Sequence, residues 1–227
     1  MMTRSSGPHT STTQRLMLRG LAIFAVLVAV GAALSSLPPG ARATHTNALY
    51  TGTVSEFGHL RTSLDATQGE LELVRLELDR AQAIIEFSGK FSVPADLTGM
   101  IYDAALRAGL KPGLAFEIVR IESRFNPRAV SSAGALGLTQ VMLKTAAFYD
   151  STITPEKLLD PPTNLRIGFQ YFRHLLTRYD GDLRIALLAY NRGPQRVGDL
   201  IARGTDPGNG YAAAVLGGYR PAGPTPP

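Results

Sequence analysis

Between Leu60 and Ser88 the chain has no proline and a single glycine, Gly69, while Leu64, Leu71, Leu78 and Ile85 recur every seven residues. Val74 and Ala81 follow two of them by three. This spacing predicts one long amphipathic helix over 60–88. Glu72 with Arg75, Arg75 with Asp79 and Glu77 with Arg80 lie at helical spacing and suit its solvated side. The apolar seam serves self-association or a protein partner, or else packs back on the main domain. Residues 89–94 read as a linker.

Beyond Pro94 the pattern changes to short apolar stripes punctuated by Gly and Pro. It predicts helices near 95–108, 112–123, 138–149, 163–179, 182–191, 194–203 and 209–218, with a hairpin or irregular loop over 129–136. No strand pattern of any length occurs, so the class is mainly α. The four prolines of 220–227 read as a disordered tail.

At the other end Arg4, Arg15 and Arg19 precede an apolar run from Leu21 to Leu34, which breaks at Ser35, Ser36, Pro38 and Pro39 before Ala41-Arg42-Ala43. A basic start, a short apolar stretch and an A-x-A site predict an export signal over 1–43. The alternative is a retained anchor using residues 21–37, since a span needs about 18 apolar residues and the run alone is shorter. Either way the remainder is expected outside the cytoplasm, in the periplasm or cell envelope.

Of the 227 residues none is cysteine, which excludes disulfide frameworks, thiolate metal sites and thiol nucleophiles. His9, His45, His59 and His174 are scattered, so no metal site and no cofactor is expected. The net charge of +5 is uneven. Residues 1–43 carry four bases and no acid, 44–88 three bases and seven acids, and 89–227 sixteen bases and eleven acids. Without a basic helix or interleaved aromatic and basic residues, the charge alone does not support nucleic-acid binding.

The helix 112–123 carries the candidate chemistry. Leu114, Ala115, Ile118, Val119 and Ile121 form its apolar stripe, and Glu117 with Arg120 reads as a solvated pair on the other face. Glu122 follows Ile118 by four residues and so projects from the stripe. Two readings stand: a buried acid neutralised by Arg124 or Arg128, or a general acid whose pKa is raised by apolar surroundings and by the helix C-terminus.

Downstream come Glu122-Ser123-Arg-Phe125, Ala129-Val130-Ser131, Gly134-Ala135-Leu-Gly137-Leu138-Thr139-Gln140, Asp160-Pro161-Pro-Thr-Asn164 with Gly168, and Ala189-Tyr190-Asn191-Arg-Gly193-Pro194. In that order they resemble the lytic transglycosylase family with the soluble-transglycosylase (SLT) catalytic domain, within the lysozyme-like superfamily. The resemblance covers 95–219 and leaves the first 94 residues, including the acidic region 44–94, unaccounted for. It implies a lysozyme-like helical domain acting on peptidoglycan glycan strands. One glutamate, Glu122, would protonate the oxygen between MurNAc and GlcNAc and then, as a base, take the proton of the sugar's C6 hydroxyl, leaving a 1,6-anhydro end.

Ser123, Gln140, Tyr190, Asn191 and Tyr211 match the family's substrate-binding polar positions. Each also has a plainer structural reading, as helix terminator, first-turn polar residue, core aromatic or helix stop. From Ser123 through Tyr149 there is no acid, which suits a single-carboxylate mechanism, although Asp150 could fold in. Two positions depart from the family pattern. Thr139 stands where methionine is usual and bears on contacts near the sugar's acyl group; Leu143 stands where proline is usual and changes how the next helix begins. The remaining alternatives are a goose-type lysozyme-like hydrolase and an inactive glycan-binding or scaffold protein.

Overall fold

A computed structural model of the chain describes residues 24–26, 28–33, 35–36 and 39–219. The export-signal region falls mostly outside these residues, and the proline-rich tail falls wholly outside them. Among the described residues no helix is long and apolar enough to cross a membrane. The chain divides into two compact units, Met1–Leu76 and Glu77–Pro227. Helix α1 runs Pro39–Phe91 and contains the whole predicted 60–88 segment. Its first part, through Leu76, belongs to the first unit, and there Leu60, Leu64, Leu71 and Val74 are exposed.

The second unit is almost all helix: α2 (Ala95–Arg107), α3 (Pro112–Ser123), α4 (Leu143–Tyr149), α5 (Pro155–Leu158), α6 (Pro161–Arg178), α7 (Leu183–Arg192), α8 (Pro194–Ala202) and α9 (Tyr211–Gly218). α6 packs between α2 and α7, α3 lies against α2 and α9, and α7 contacts α8 and α9. The shared core centres on Ile101, Phe116, Ile118, Leu138, Phe169 and Phe172, all fully buried. Each such side chain contributes about 1.5–3 kcal/mol of burial. Starts follow local rules: Asp160 and Asp182 accept amide bonds from Thr163 and Ile185, and Pro112, Pro161 and Pro194 sit in first turns.

Several expectations need correction. The predicted linker is shorter, because α1 continues to Phe91. The part of α1 in this unit docks through Phe87 and Phe91, with Phe87 stacked on Phe116 at 4.4 Å, and Ile84 lies beside Gly99 of α2. That face differs from the heptad seam, whose Leu78 and Ile85 stay exposed. Arg80 forms a bidentate pair with Asp103 on α2 at 2.7 and 2.8 Å, not with Glu77. Among the described residues the other expected same-helix pairs of α1 are not ion pairs either.

The helix expected from residue 138 begins only at Leu143. Gly137 and Gln140 have left-handed backbones (φ 73° and 48°), and the turn they make carries the chain into a strand. The hairpin pairs β1 (Ala135–Leu136) antiparallel to β2 (Val141–Met142), Ala135 opposite Met142, and so extends past the predicted 129–136. Val130 also bridges to Leu136. Short α5, capped by Thr154, was not foreseen.

Candidate active site

Helix α3 is buried almost all round, because α2 and α9 cover both its sides. Glu117 is therefore not the solvated acid its spacing suggested. It is 2% exposed, accepts from Arg120 Nε at 2.6 Å, and lies against Gly218 of α9, where a Cβ would have no room. Ser123 is buried as well, its hydroxyl donating to the Val119 carbonyl at 3.2 Å. Arg124 and Phe125 then turn the chain sharply with left-handed backbones (φ 51° and 62°).

Glu122 sits in the last turn of α3. Burial raises its carboxyl, and the Tyr211 hydroxyl, which donates to Oε1 at 2.5 Å, offsets part of that rise, leaving it at about 7. Neither Arg124 nor Arg128 pairs with it; both are exposed. Among the described residues neither a second carboxylate nor a cation contributes to the shift. Asp150, the next acid downstream, is held elsewhere by the Thr152 amide and hydroxyl, with Arg166 at 3.9 Å.

Tyr211 opens α9, and a short relay fixes it there. Asn209 accepts from the Tyr211 amide at 3.2 Å and donates through Nδ2 to Asn191 Oδ1 at 2.8 Å. Asn191 thus reaches Glu122 indirectly, through the loop that presents the tyrosine. Tyr190 approaches from α7 and donates to the Thr139 carbonyl at 2.7 Å. Burial first, and then the nearby Glu122 charge, push the hydroxyls of Tyr190 and Tyr211 well above the ordinary tyrosine value. Both phenols therefore stay protonated and able to donate across the working pH range.

Gln140 donates its side-chain amide to the carbonyls of Gly137 (2.8 Å) and Ala129 (3.2 Å), which pins the hairpin's tip. It also lines a cavity of about 270 Å³ with Met142, Thr145, Tyr171, Tyr190 and Asn191. Thr145 and Tyr171 are shared with a second, more apolar cleft of about 140 Å³, walled by Phe148, Tyr149 and His174. A groove with aromatic walls and a few side-chain amides is suited to sugar rings, which offer C–H faces and a hydroxyl rim.

Residues 99–209 match the family described as Transglycosylase SLT domain. Residues 99–209 carry the signature of a transglycosylase SLT domain. The chain is 37% identical over 89 residues to the soluble lytic murein transglycosylase of Escherichia coli K12, across 37% of this chain and 14% of that relative. It is 40% identical over 90 residues to a transglycosylase of Enterobacteria phage PRD1, across 40% of this chain and 32% of the relative. Among solved structures, the lytic transglycosylase Slt of Pseudomonas aeruginosa, as an inactive mutant, matches at 28% identity and a TM-score of 0.47, covering 52% of this chain and 22% of that one. The 70 kDa soluble lytic transglycosylase of Escherichia coli matches at 24% identity and 0.48, covering 61% and 29%. This chain therefore spans well under half the length of each.

The sequence-predicted residues divide into three groups. Glu122 and Tyr211 touch directly; Tyr190, Asn191 and Gln140 line one cavity beside them; Ser123 spends its hydroxyl inside α3. The relay residue Asn209 was missed, since it sits in a loop with no periodicity to mark it. Thr139 is corrected: its side chain faces the core, not the groove. Its hydroxyl donates to Asn164 Oδ1 at 2.7 Å and its amide to the same atom at 2.8 Å. Asn164 in turn donates to the carbonyls of Leu136 (2.9 Å) and Leu158 (2.8 Å). Leu143 takes the first position of α4, where a proline would also fit.

Proposed function

We propose that the SLT domain is a lytic transglycosylase that cleaves the MurNAc–GlcNAc β-1,4 bond of peptidoglycan strands with Glu122 acting alone, first as acid and then as base. The observation that carries the reading is the Glu122 carboxyl, pushed by burial to about 7 and held by a single tyrosine hydroxyl. A group titrating there is protonated often enough to donate to the departing glycosidic oxygen and, once ionised, basic enough to accept a proton. The Tyr211 hydroxyl stabilises the ionised form between the two steps. The proton that Glu122 takes back comes from the sugar's own C6 hydroxyl, whose oxygen closes on the anomeric carbon, so water is not consumed. Tyr190, Asn191 and Gln140 are the polar rim that orients the N-acetyl sugar beside Glu122, with Ser123 supporting the end of α3.

Digestion of purified peptidoglycan followed by mass spectrometry tests this reading. The expected products end in anhydro-MurNAc, lighter by one water than reducing ends. Hydrated ends alone would point to a goose-type lysozyme-like hydrolase on the same site. No cleavage, with glycan binding retained, would point to a binding or scaffold role. The export pattern of residues 1–43 supports action outside the cytoplasm, in the periplasm or cell envelope, and an intact mass beginning at Thr44 is the expected result for the exported chain.

A further inference from the structure

We propose that α1 joins two copies of this chain side by side in a parallel, in-register coiled coil through Phe57, Leu60, Leu64, Leu71 and Val74. With Thr67 between Leu64 and Leu71 these positions alternate three and four apart on one stripe of α1, and the five apolar residues are each between 54% and 73% exposed. A helix carrying such a stripe in water lacks the packing that stabilises long helices, and a second stripe of the same kind supplies it. Thr67 completes the repeat. Its hydroxyl already donates to the Ser63 carbonyl at 2.9 Å, so burying it in the seam orphans no polar group.

The charges beside the seam decide the occupant and its direction. Glu56 and Glu70 sit on one edge, each just before a core position, and Arg61 and Arg75 sit on the other edge, each four after one. Among the described residues none of the four makes an ion pair within its own chain. In a parallel pair each edge residue faces the opposite-edge residue five further along the other helix. Glu56 then meets Arg61, Glu70 meets Arg75, and Ser63 meets Gln68, each twice by symmetry. In an antiparallel pair like edges meet, so glutamates face glutamates and arginines face arginines. Within the second unit α1 docks by Phe87 and Phe91 and leaves the continuation of the same stripe, Leu78 and Ile85, outward.

The absence of cysteine gives a clean test in the full-length chain held in mild detergent. Leu64→Cys, on the seam, should form a disulfide-linked dimer on mild oxidation, and Thr62→Cys, on the outer face, should do so roughly tenfold more slowly. Sedimentation should show a two-chain species. Glu70→Arg should weaken self-association roughly tenfold, and adding Arg75→Glu should restore it. A monomer, a three- or four-chain species, equal cross-linking at both positions, cross-linking of Phe57→Cys to Val74→Cys in place of self-cross-linking, or a charge reversal that restores nothing would each overturn the proposal. None of these readouts depends on glycan cleavage.

Discussion

At Glu122 two demands meet in one carboxyl, and pH separates them. Glu122→Gln should lower cleavage by at least about a thousandfold while leaving helix content unchanged, measured by product release and circular dichroism. The same variant reports on stability. The native carboxyl holds its proton up to about pH 7, whereas an unfolded glutamate loses it near its ordinary value, so the native state binds more protons between those limits. Stability of the parent chain therefore falls as pH rises through that window and levels off above it. Glu122→Gln, which cannot titrate, should be the more stable protein above pH 7, by up to about 3 kcal/mol, with the advantage vanishing near pH 4. Tyr211→Phe removes the donor that favours the ionised form, so the Glu122 pKa should climb further. The alkaline limb of kcat/KM should move upward while the rate itself drops about ten- to a hundredfold. The projection of Glu122 from the apolar stripe was legible from spacing within one helix. The burial of Glu117 was not, because spacing says nothing of what covers a helix's far side, and here α9 brings Gly218 over it.

Among elements, the join between the hairpin and α6 organises the groove. Asn164 ties Leu136, Leu158 and Thr139 together, while Gly137 and Gly168 leave the space that the Asn164 and Thr139 side chains fill. Asn164→Ala would orphan several buried polar groups at once, and thermal unfolding should show a loss of about 3 kcal/mol or more. Gly168→Ala drives a methyl group into Thr139 and should cost about 1–3 kcal/mol in the same measurement. The motif around Asp160 and Asn164 was visible in the sequence, and its cap and helix start could be read from it. Its other end, the Thr139 hydroxyl, could not, since a contact between residues 25 apart depends on a turn set by two left-handed residues. For the same reason the helix expected from 138 starts at Leu143: apolar periodicity runs on through a short strand without changing its signature.

For the whole molecule, the balance of charge changes once the proposed export segment is set aside. From Thr44 onward the chain has nineteen bases and eighteen acids, so most of its apparent basicity belongs to residues 1–43. What is left is an acidic stretch over 44–88 and a basic remainder, and the basic part contains the SLT domain. A modest positive field there favours encounter with an anionic wall polymer, so cleavage of intact peptidoglycan should slow as ionic strength rises, while cleavage of short uncharged glycans should not. The order of the chain carries one more consequence. Glu122 and the tyrosine that holds it are 89 residues apart, on α3 and on the last described helix. The carboxyl is therefore assembled only when the end of the domain closes on its beginning. A chain whose last helix has not yet folded has the acid but not its setting, so the proposed cleavage of the wall waits on a finished domain.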